Sequence, residues 1–486
     1  MERICFELEN IELTYLDKEI LKINRLAIHQ FDRIGIVGKN GSGKSSLLKL
    51  LAGKIDPNKG IVHQHASYAY FEQMEAPDKT LTGNEDPALL GKLHVPSQLD
   101  SISGGEQTRL KLTQLFSEYR EALFIDEPTT HLDQDGVAFI QSELEFYYGA
   151  LVLVSHDRAL LNKLVSTIWE IRDGCVFVYA GNYNEYEKQK QLELEQKQEA
   201  HHQFVKEKSR LEKAADQKRS KANKMMKGEK ANTRSKEGVN RMFATKSKDA
   251  TQKAIQKSAK AIEKRIDQLE EIAAPESSRP INFYKSKALE LHNKFPIIGD
   301  QLTLQVGDKV LLEKARFQFP LGENIAITGE NGTGKSSLLQ HIVQRGDALD
   351  ISPKVTFGYF QQLSYQRNIN ETVLEFLQKR TEYEEGFLRS ILHSMYFSGN
   401  DLRKKLNQLS GGESIRLQLS YLFLGEFHVL ILDEPTNFLD IPTIQALENF
   451  FHSYPGTIVF VSHDQTFINH VATRKFVINN KKLYEV

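Results

Sequence analysis

Short apolar runs recur along the chain at a length that suits a strand. Arg33-Ile34-Gly35-Ile36-Val37, Leu123-Phe124-Ile125, Ala150–Val154, Asn324-Ile325-Ala326-Ile327-Thr328 and Val429–Leu432 are such runs. An unbroken apolar run between polar residues marks a strand covered on both faces. Ser46-Leu47-Leu48-Lys49-Leu50-Leu51 follows the first of them at helical spacing. Strands of this kind alternating with helices predict α/β domains with a largely parallel sheet.

The middle of the chain reads differently. From Asn184 to Ser220 and from Ala250 to Ile272 there is no Pro and no Gly, and Lys, Glu, Gln and Ala dominate. Ile255, Ala259, Ile262, Ile266 and Leu269 recur at steps of 4, 3, 4 and 3, an a/d seam. Ala200, Phe204, Leu211 and Ala215 offer a partner stripe. Gly228, Asn232, Gly238 and Asn240 lie between, a turn-like composition. The pattern predicts two antiparallel helices with a tip near 228–246, the first reaching roughly 55 Å at ~1.5 Å per residue.

The two flanks are copies of one unit. Gly38-Lys39-Asn40-Gly41-Ser42-Gly43-Lys44-Ser45 recurs as Gly329-Glu330-Asn331-Gly332-Thr333-Gly334-Lys335-Ser336. Ser103-Gly104-Gly105-Glu106 recurs as Ser410-Gly411-Gly412-Glu413, Phe124–Thr129 as Ile431–Thr436, and Val154–Asp157 as Val461–Asp464. Ser103 to Asp126 and Ser410 to Asp433 are both 23 positions, and Ser103 to His156 and Ser410 to His463 both 53. Four motifs in order at fixed spacing are a tandem duplication.

Composition narrows the classes. At 486 residues and 55.5 kDa the chain exceeds one ordinary hydrophobic core, so several domains are expected. Its apolar runs are strand-sized, far short of the ~18–20 residues that span a bilayer, and Met1–Phe6 lacks a basic-then-apolar leader pattern. Only Cys5 and Cys175 are present, too few for a disulfide framework or a four-cysteine zinc site. The reading is a soluble cytoplasmic protein without zinc. Net charge is −1, but Glu187–Ala274 carries 23 Lys/Arg against 14 Asp/Glu. A basic middle between acidic flanks points to a nucleic-acid partner.

The glycine pattern after a strand lets backbone N–H groups and a helix N-terminus hold phosphate oxygens. Lys44 and Lys335 would reach the β/γ-phosphates, and Ser45 and Ser336 would ligate Mg²⁺. Asp126 and Asp433 end apolar strands, where a carboxylate reaches the metal through water. Glu127 and Glu434 come next, placed to polarise an attacking water. A lone His after a strand is ordinarily structural; His156 and His463, paired at identical spacing, read as γ-phosphate contacts.

Together these motifs resemble the ATP-binding cassette ATPases. The resemblance implies two cassettes paired head to tail within one chain, with two ATP sites. One would join Gly38–Ser45, Ser46, Asp126, Glu127 and His156 to Ser410, Gly411, Gly412 and Glu413. The other would join Gly329–Ser336, Ser337, Asp433, Glu434 and His463 to Ser103, Gly104, Gly105 and Glu106. Gln73 and Gln362 look like the family's Q-loop glutamines, which touch the metal and the nucleotide. Tyr15 matches the adenine-stacking aromatic, whereas the equivalent second position is Val306. Ile102 stands where Leu is usual before the first signature. After the Asp-Glu pairs the units read Thr129-Thr130-His131-Leu132-Asp133 and Thr436-Asn437-Phe438-Leu439-Asp440.

Among cassette proteins the whole chain resembles the ABC-F family, which has two cassettes, no membrane domain and a long helical linker. This implies residues 1–183 and 277–486 as cassettes and 184–276 as linker. Gln73 to Ser103 spans only 30 residues, leaving no room for the arm of housekeeping translation factors; the same minimal unit argues against a transporter motor, the reading of a different class. Within the family the chain looks most like the Msr-type antibiotic-resistance members. That implies binding of the ATP-bound protein at the ribosomal E site, near 23S rRNA and the P-site tRNA, with release on hydrolysis. The drugs implied are macrolides and streptogramin B; Vga- and Lsa-type relatives imply lincosamides, pleuromutilins and streptogramin A, and a general translation factor is a further alternative. From Gln217 to Lys260 there are 14 Lys/Arg against 3 Asp/Glu, a density suited to a phosphate-rich site. At the tip, Arg241, Met242, Phe243 and Lys246 are the candidate ribosome contacts. Met242 and Phe243 either stack on an exposed base or pack the tip against the hairpin.

Overall fold

The computed structural model describes residues 3–15, 18–72, 104–129, 132, 134–231, 291, 293–360 and 370–486, together with separate positions between 254 and 268. By contact the chain divides into one unit of Met1–Tyr186 with Ser278–Val486 and another of Glu187–Ser277.

The first unit holds both copies of the duplicated sequence. The first copy opens with β1 (Ile4–Tyr15), β2 (Lys18–His29), β3 (Arg33–Gly38), α1 (Lys44–Leu51), β4 (Lys59–Gln64) and β5 (Tyr68–Phe71). It continues with α2 (Gly104–Phe116), β6 (Ala122–Asp126), α3 (Gln134–Glu145), β7 (Ala150–Val154), α4 (Arg158–Leu164), β8 (Thr167–Arg172) and β9 (Cys175–Ala180). After α5 (Tyr183–Ala231), the second copy runs β10 (Ile297–Val306), β11 (Lys309–Phe319), β12 (Asn324–Thr328), α6 (Lys335–Val343), β13 (Leu349–Ile351) and β14 (Phe357–Phe360). α7 (Val373–Gln378), α8 (Glu385–Ser394), α9 (Gly411–Leu424), β15 (Val429–Asp433), α10 (Ile441–Ser453), β16 (Thr457–Val461), α11 (Gln465–Val471), β17 (Arg474–Asn479) and β18 (Lys482–Glu485) follow.

The apolar runs become the interior strands. The first sheet is ordered β5-β6-β7-β3-β8-β9 and the second β14-β15-β16-β12-β17-β18. Pairing is parallel except at the last strand of each. Every residue of β6 and β7 is buried, which is why neither shows polar alternation. In each copy a three-stranded antiparallel sheet, β2-β1-β4 or β11-β10-β13, stands beside the larger one. Phe6, Leu8 and Ile11 of β1 share a core with Leu47, Leu48 and Leu51 of α1. Each such side chain, fully removed from water, contributes about 1.5–3 kcal/mol.

Two consequences place the site. From β3 the chain passes to β5 on one side of it, and from β7 to β8 on the other, and β12 stands in the same relation to β14, β16 and β17, so the loops leaving β3 and β12 open where the connections change direction. Among the described residues, α7 and α8 precede the Ser410 signature of the second copy. Leu388, Ile391 and Leu392 of α8 share a core with Leu417, Leu419 and Phe423 of α9.

In the second unit, α5 is longer than the sequence pattern predicts. It runs through Gly228, placed in the tip by composition, to Ala231. One helical glycine costs about 1 kcal/mol, and the Lys, Met, Ala and Glu on either side are strong helix formers. Leu211 and Ala215 are buried, while Ala200 and Phe204 are half-buried, the stripe read from the sequence. Helical residues recur from 254 to 265, with Ile255, Ser258 and Ile262 half-buried, and Lys218 donates to Ser258 Oγ. No helix among the described residues is long and apolar enough to cross a membrane.

Candidate nucleotide-binding site

β3 ends at Gly38 and α1 begins at Lys44, so residues 39–43 turn tightly above the sheet. Gly43 caps α1 at φ 104° and Gly334 caps α6 at φ 101°, neither helix having a side-chain cap. The first-turn N–H groups are left for an anion. A Cβ at Gly43 would stand 3.0 Å from Ile20 Cγ2, and one at Gly334 2.9 Å from Leu311 Cβ, so dihedral and space both demand glycine. Lys44 Nζ donates to the Gly38 and Lys39 carbonyls at 2.8 and 3.1 Å. Lys335 Nζ repeats this with Gly329 and Glu330 at 2.7 and 2.8 Å. Each ammonium thus lies inside the loop that would cradle phosphate.

The acidic pairs stand beside these loops. Ser336 Oγ donates to Asp433 Oδ1 at 3.0 Å, and Ser45 hydrogen-bonds Asp126 in the same way. Burial raises both Asp carboxyls above the usual range. A hydroxyl paired with a carboxylate is a hard oxygen donor set, and it fits Mg²⁺.

Glu127 and Glu434 share an unusual backbone. Each adopts φ 50°, a left-handed conformation a non-glycine residue enters at a cost of about 1–2 kcal/mol. It is held by one hydrogen bond, Glu127 N–H to Val154 O at 2.9 Å and Glu434 N–H to Val461 O at 3.0 Å. The turn folds each carboxylate back to the histidine loop, where Oε2 accepts from the N–H of His156 or His463 at 3.3 Å. The His156 and His463 Nε2 atoms lie 3.3 and 3.2 Å from Oε1 of the same glutamates. Burial lifts both glutamates, Glu434 to about 7 with Asp433 adding to the shift, and Glu127 upward too, against the pull of Lys44. Burial, then Lys44, drives His156 down to about 3, so it is neutral and its contact with Glu127 is no ion pair. Glu127 Oε1, Glu434 Oε1 and His156 Nδ1 are buried without a hydrogen-bond partner. Unsatisfied polar atoms beside a phosphate loop suit a water and a phosphate oxygen.

The second copy closes over the first loop. A cavity of about 820 Å³ is lined by Asn40, Lys44, Glu127 and His156 from the first copy and by Ser410 and Gly412 from the second. Ser410 caps α9 in a capping box with Glu413. Asn40 N–H donates to Asp440 Oδ2 at 2.6 Å, and Asn40 Nδ2 donates to Phe438 O at 2.8 Å. Tyr15, 63% exposed, stands at the cavity wall with Lys18 and Ile20. Val306 occupies the matching hairpin place, facing Lys309 as Tyr15 faces Lys18.

Of the residues proposed for this first site, the structure brings Asn40, Gly41, Gly43, Lys44, Ser45, Ser46, Asp126, Glu127, His156, Ser410, Gly412 and Glu413 to one cavity, which His463, proposed for the second site, also lines. For the second site it places Gly329–Ser336, Asp433, Glu434 and His463 in the same internal arrangement, with Gly104 and Gly105 opening α2. Ser103, Gln73, Gln362, Arg241, Met242, Phe243 and Lys246 lie outside the described residues. Lys18, Ile20 and Arg416 also line the cavity and were not foreseen. Arg416, three residues after Glu413 as Arg109 is after Glu106, carried a signal in the repeat itself.

Comparison with known proteins bears on family and fold. The family described as ABC transporter matches residues 21–86 and 312–437. The chain is 39% identical over 488 residues to the erythromycin resistance ATP-binding protein MsrA of Staphylococcus epidermidis, covering 100% of both. It is 31% identical to the ribosome protection protein VmlR of Bacillus subtilis, over 97% of this chain and 86% of the relative. Among solved structures, the complex of archaeal ribosomal stalk protein aP1 and archaeal ribosome recycling factor aABCE1 matches with TM-score 0.66 at 19% identity, over 98% of this chain and 89% of that one. That last likeness is one of fold.

Proposed function

We propose that this chain, which belongs to the ABC-F family of tandem ATP-binding cassette proteins, is an ATPase that protects the ribosome from antibiotics. Residues 1–183 and 277–486 are the cassettes and 184–276 the linker. The observation that carries the ATPase reading is the cavity in which Lys44, Glu127 and His156 of one cassette face Ser410 and Gly412 of the other. A nucleotide bound there touches both halves, so binding favours the paired arrangement.

Each residue has a role in that scheme. The loop N–H groups and Lys44 or Lys335 hold the phosphates, displaced carbonyl contacts of the lysine being replaced by phosphate oxygens. Mg²⁺, held by Ser45 and Asp126 or by Ser336 and Asp433, with Gln73 and Gln362, would offset phosphate charge. Glu127 and Glu434 orient water and accept its proton; His156, neutral, and His463 donate to the γ-phosphate. Tyr15 stacks on adenine. Hydrolysis removes the phosphate that bridges Gly38–Ser45 to Ser410–Gly412, and the cassettes part.

The ribosomal reading is supported by full-length likeness to a resistance protein and to a ribosome protection protein, and by the basic stretch from Gln217 to Lys260. The ATP-bound protein occupies the E site of the 70S ribosome in the cytoplasm. Its linker tip, with Arg241, Met242, Phe243 and Lys246, reaches 23S rRNA beside the P-site tRNA and displaces macrolides and streptogramin B.

Co-sedimentation tests this. The variant carrying Glu127→Gln and Glu434→Gln is expected to pellet with 70S ribosomes only with ATP, and to stay bound through moderate salt. ATP-independent binding that washes off with salt would reduce the linker to a nonspecific polyanion patch.

A further inference from the structure

Arg158 directly follows Ser155-His156-Asp157 and opens α4. Its guanidinium is buried, 4% exposed, and Nη2 donates to Glu448 Oε1 on α10 of the other cassette, whose side chain is 12% exposed. Glu448 also holds His470 Nδ1 at 3.2 Å, on α11 of its own cassette. α4 and α11 pack against each other, close enough that the capping Asp157 repels Asp464. Asp157 accepts from Leu160 N–H at 3.0 Å and Asp464 from Phe467 N–H at 2.9 Å. Arg158 is a cation that Glu448 and Asp464 attract and that acts in turn on Asp157.

Duplication makes the asymmetry legible. The offset of 307 that relates His156 to His463 also relates Arg158 to Gln465 and Glu448 to Gln141. Gln465 is exposed and Gln141 half-buried, and two uncharged amides cannot form the ion pair. The first histidine loop is thus anchored to the opposite cassette two residues past His156. The second is not anchored in this way.

We propose that Arg158 is a positioning residue that couples His156 to cassette closure through Glu448, so that the first ATP site depends on closure more steeply than the second. The chemistry follows from burial. A guanidinium removed from water holds its place only while its carboxylate is present. When the cassettes part, Arg158 loses Glu448, α4 loses its tether, and the loop that sets His156 against Glu127 is free to shift. This inference rests on the ATPase reading above.

Vanadate trapping of a photoreactive ATP analogue in the full chain tests it, with cleavage in the linker assigning label to either cassette. Arg158→Gln is expected to cut label in the first cassette about tenfold, roughly 1.4 kcal/mol, and label in the second less than twofold. Glu448→Gln should do the same, and Arg158→Glu with Glu448→Arg should restore much of the loss. Equal loss in both cassettes would overturn the proposal, because the pair would then merely hold the interface. So would unchanged trapping, or a swapped pair that folds, judged by an unaltered melting temperature, yet stays as poor as the single variants. Absence of label from the parent chain would instead overturn the ATPase reading itself.

Discussion

Asn40 N–H donates to Asp440 Oδ2 at 2.6 Å, from the phosphate loop of one cassette to the other cassette. The opposite oxygen of the same carboxylate accepts from Thr443 N–H at 3.1 Å and caps α10. One side chain therefore ends a helix in its own cassette and holds the loop of its neighbour.

Separate substitutions should separate those roles. Asp440→Ala loses the cap, costing about 1 kcal/mol, together with the loop contact. Asp440→Asn retains a capping oxygen but loses the charge-assisted bond. We expect near-parental melting for the Asn variant with ATP turnover lowered several-fold. Full turnover in the Asn variant would remove the loop contact from the mechanism.

The paired glutamates lend themselves to a direct assay. Glu127→Gln with Glu434→Gln is nearly isosteric and keeps an acceptor for the His156 and His463 N–H groups. Nucleotide affinity should change little. Phosphate release should fall by at least about 10²-fold, the scale of a lost general base. Loss of nucleotide binding in the double variant would instead indicate a structural role for the carboxylates.

Burial also sets a pH profile. A base must be ionised to act, and Glu434 is lifted to about 7. Its activity should climb as pH rises through neutrality and not near the ordinary range of a free carboxyl. The stability sign is opposite, since the folded form binds the extra proton. The nucleotide-free protein gains stability from Glu434 below the unfolded pKa and loses it as pH rises toward about 7. A profile of kcat/KM against pH, alongside melting temperature, checks both; a flat profile from pH 5 to 8 contradicts the first.

Tyr15 and Val306 occupy matching hairpin ends, and only the first can stack on a base. Tyr15→Ala should weaken ATP binding at its site by about 0.5–1.5 kcal/mol, a few-fold to about tenfold. Val306→Tyr should strengthen the second site by a similar factor. Titration with a fluorescent ATP analogue in single-site variants reads each change.

The proposed ribosome contacts supply a cellular test. Substituting Arg241 and Phe243 together by Ala should leave ATP hydrolysis intact and abolish drug resistance. Resistance that survives, measured as the inhibitory concentration of a macrolide, would place the protective contact elsewhere.

Much of this was legible before any coordinates. Val429–Leu432 reads as a buried strand because no polar residue interrupts it, and β15 covers that run. Gly43 and Gly334 read as a phosphate loop because of their spacing, and the positive φ supplies the reason. The sequence pattern ends the first helix near Ser220 with Gly228 in the tip, whereas α5 runs to Ala231, since turn composition is a local signal and helix-forming neighbours outweigh it. Lys18 and Ile20 could not be found from motif spacing, because the β1–β2 hairpin carries them to the cavity.

The amino-acid sequence by itself determined the duplication, the two glycine loops, the acidic and histidine positions repeated at fixed spacing, and the basic composition of the segment between the copies. Those follow from local spacing and residue chemistry, which a chain carries whether folded or not. Only the tertiary structure decided that Asn40 meets Asp440, that Arg158 pairs with Glu448 while Gln465 stays exposed, and that Glu127 and Glu434 bend into φ 50°. Burial shifts and contacts across hundreds of residues depend on which surfaces leave water together, and no local pattern encodes that.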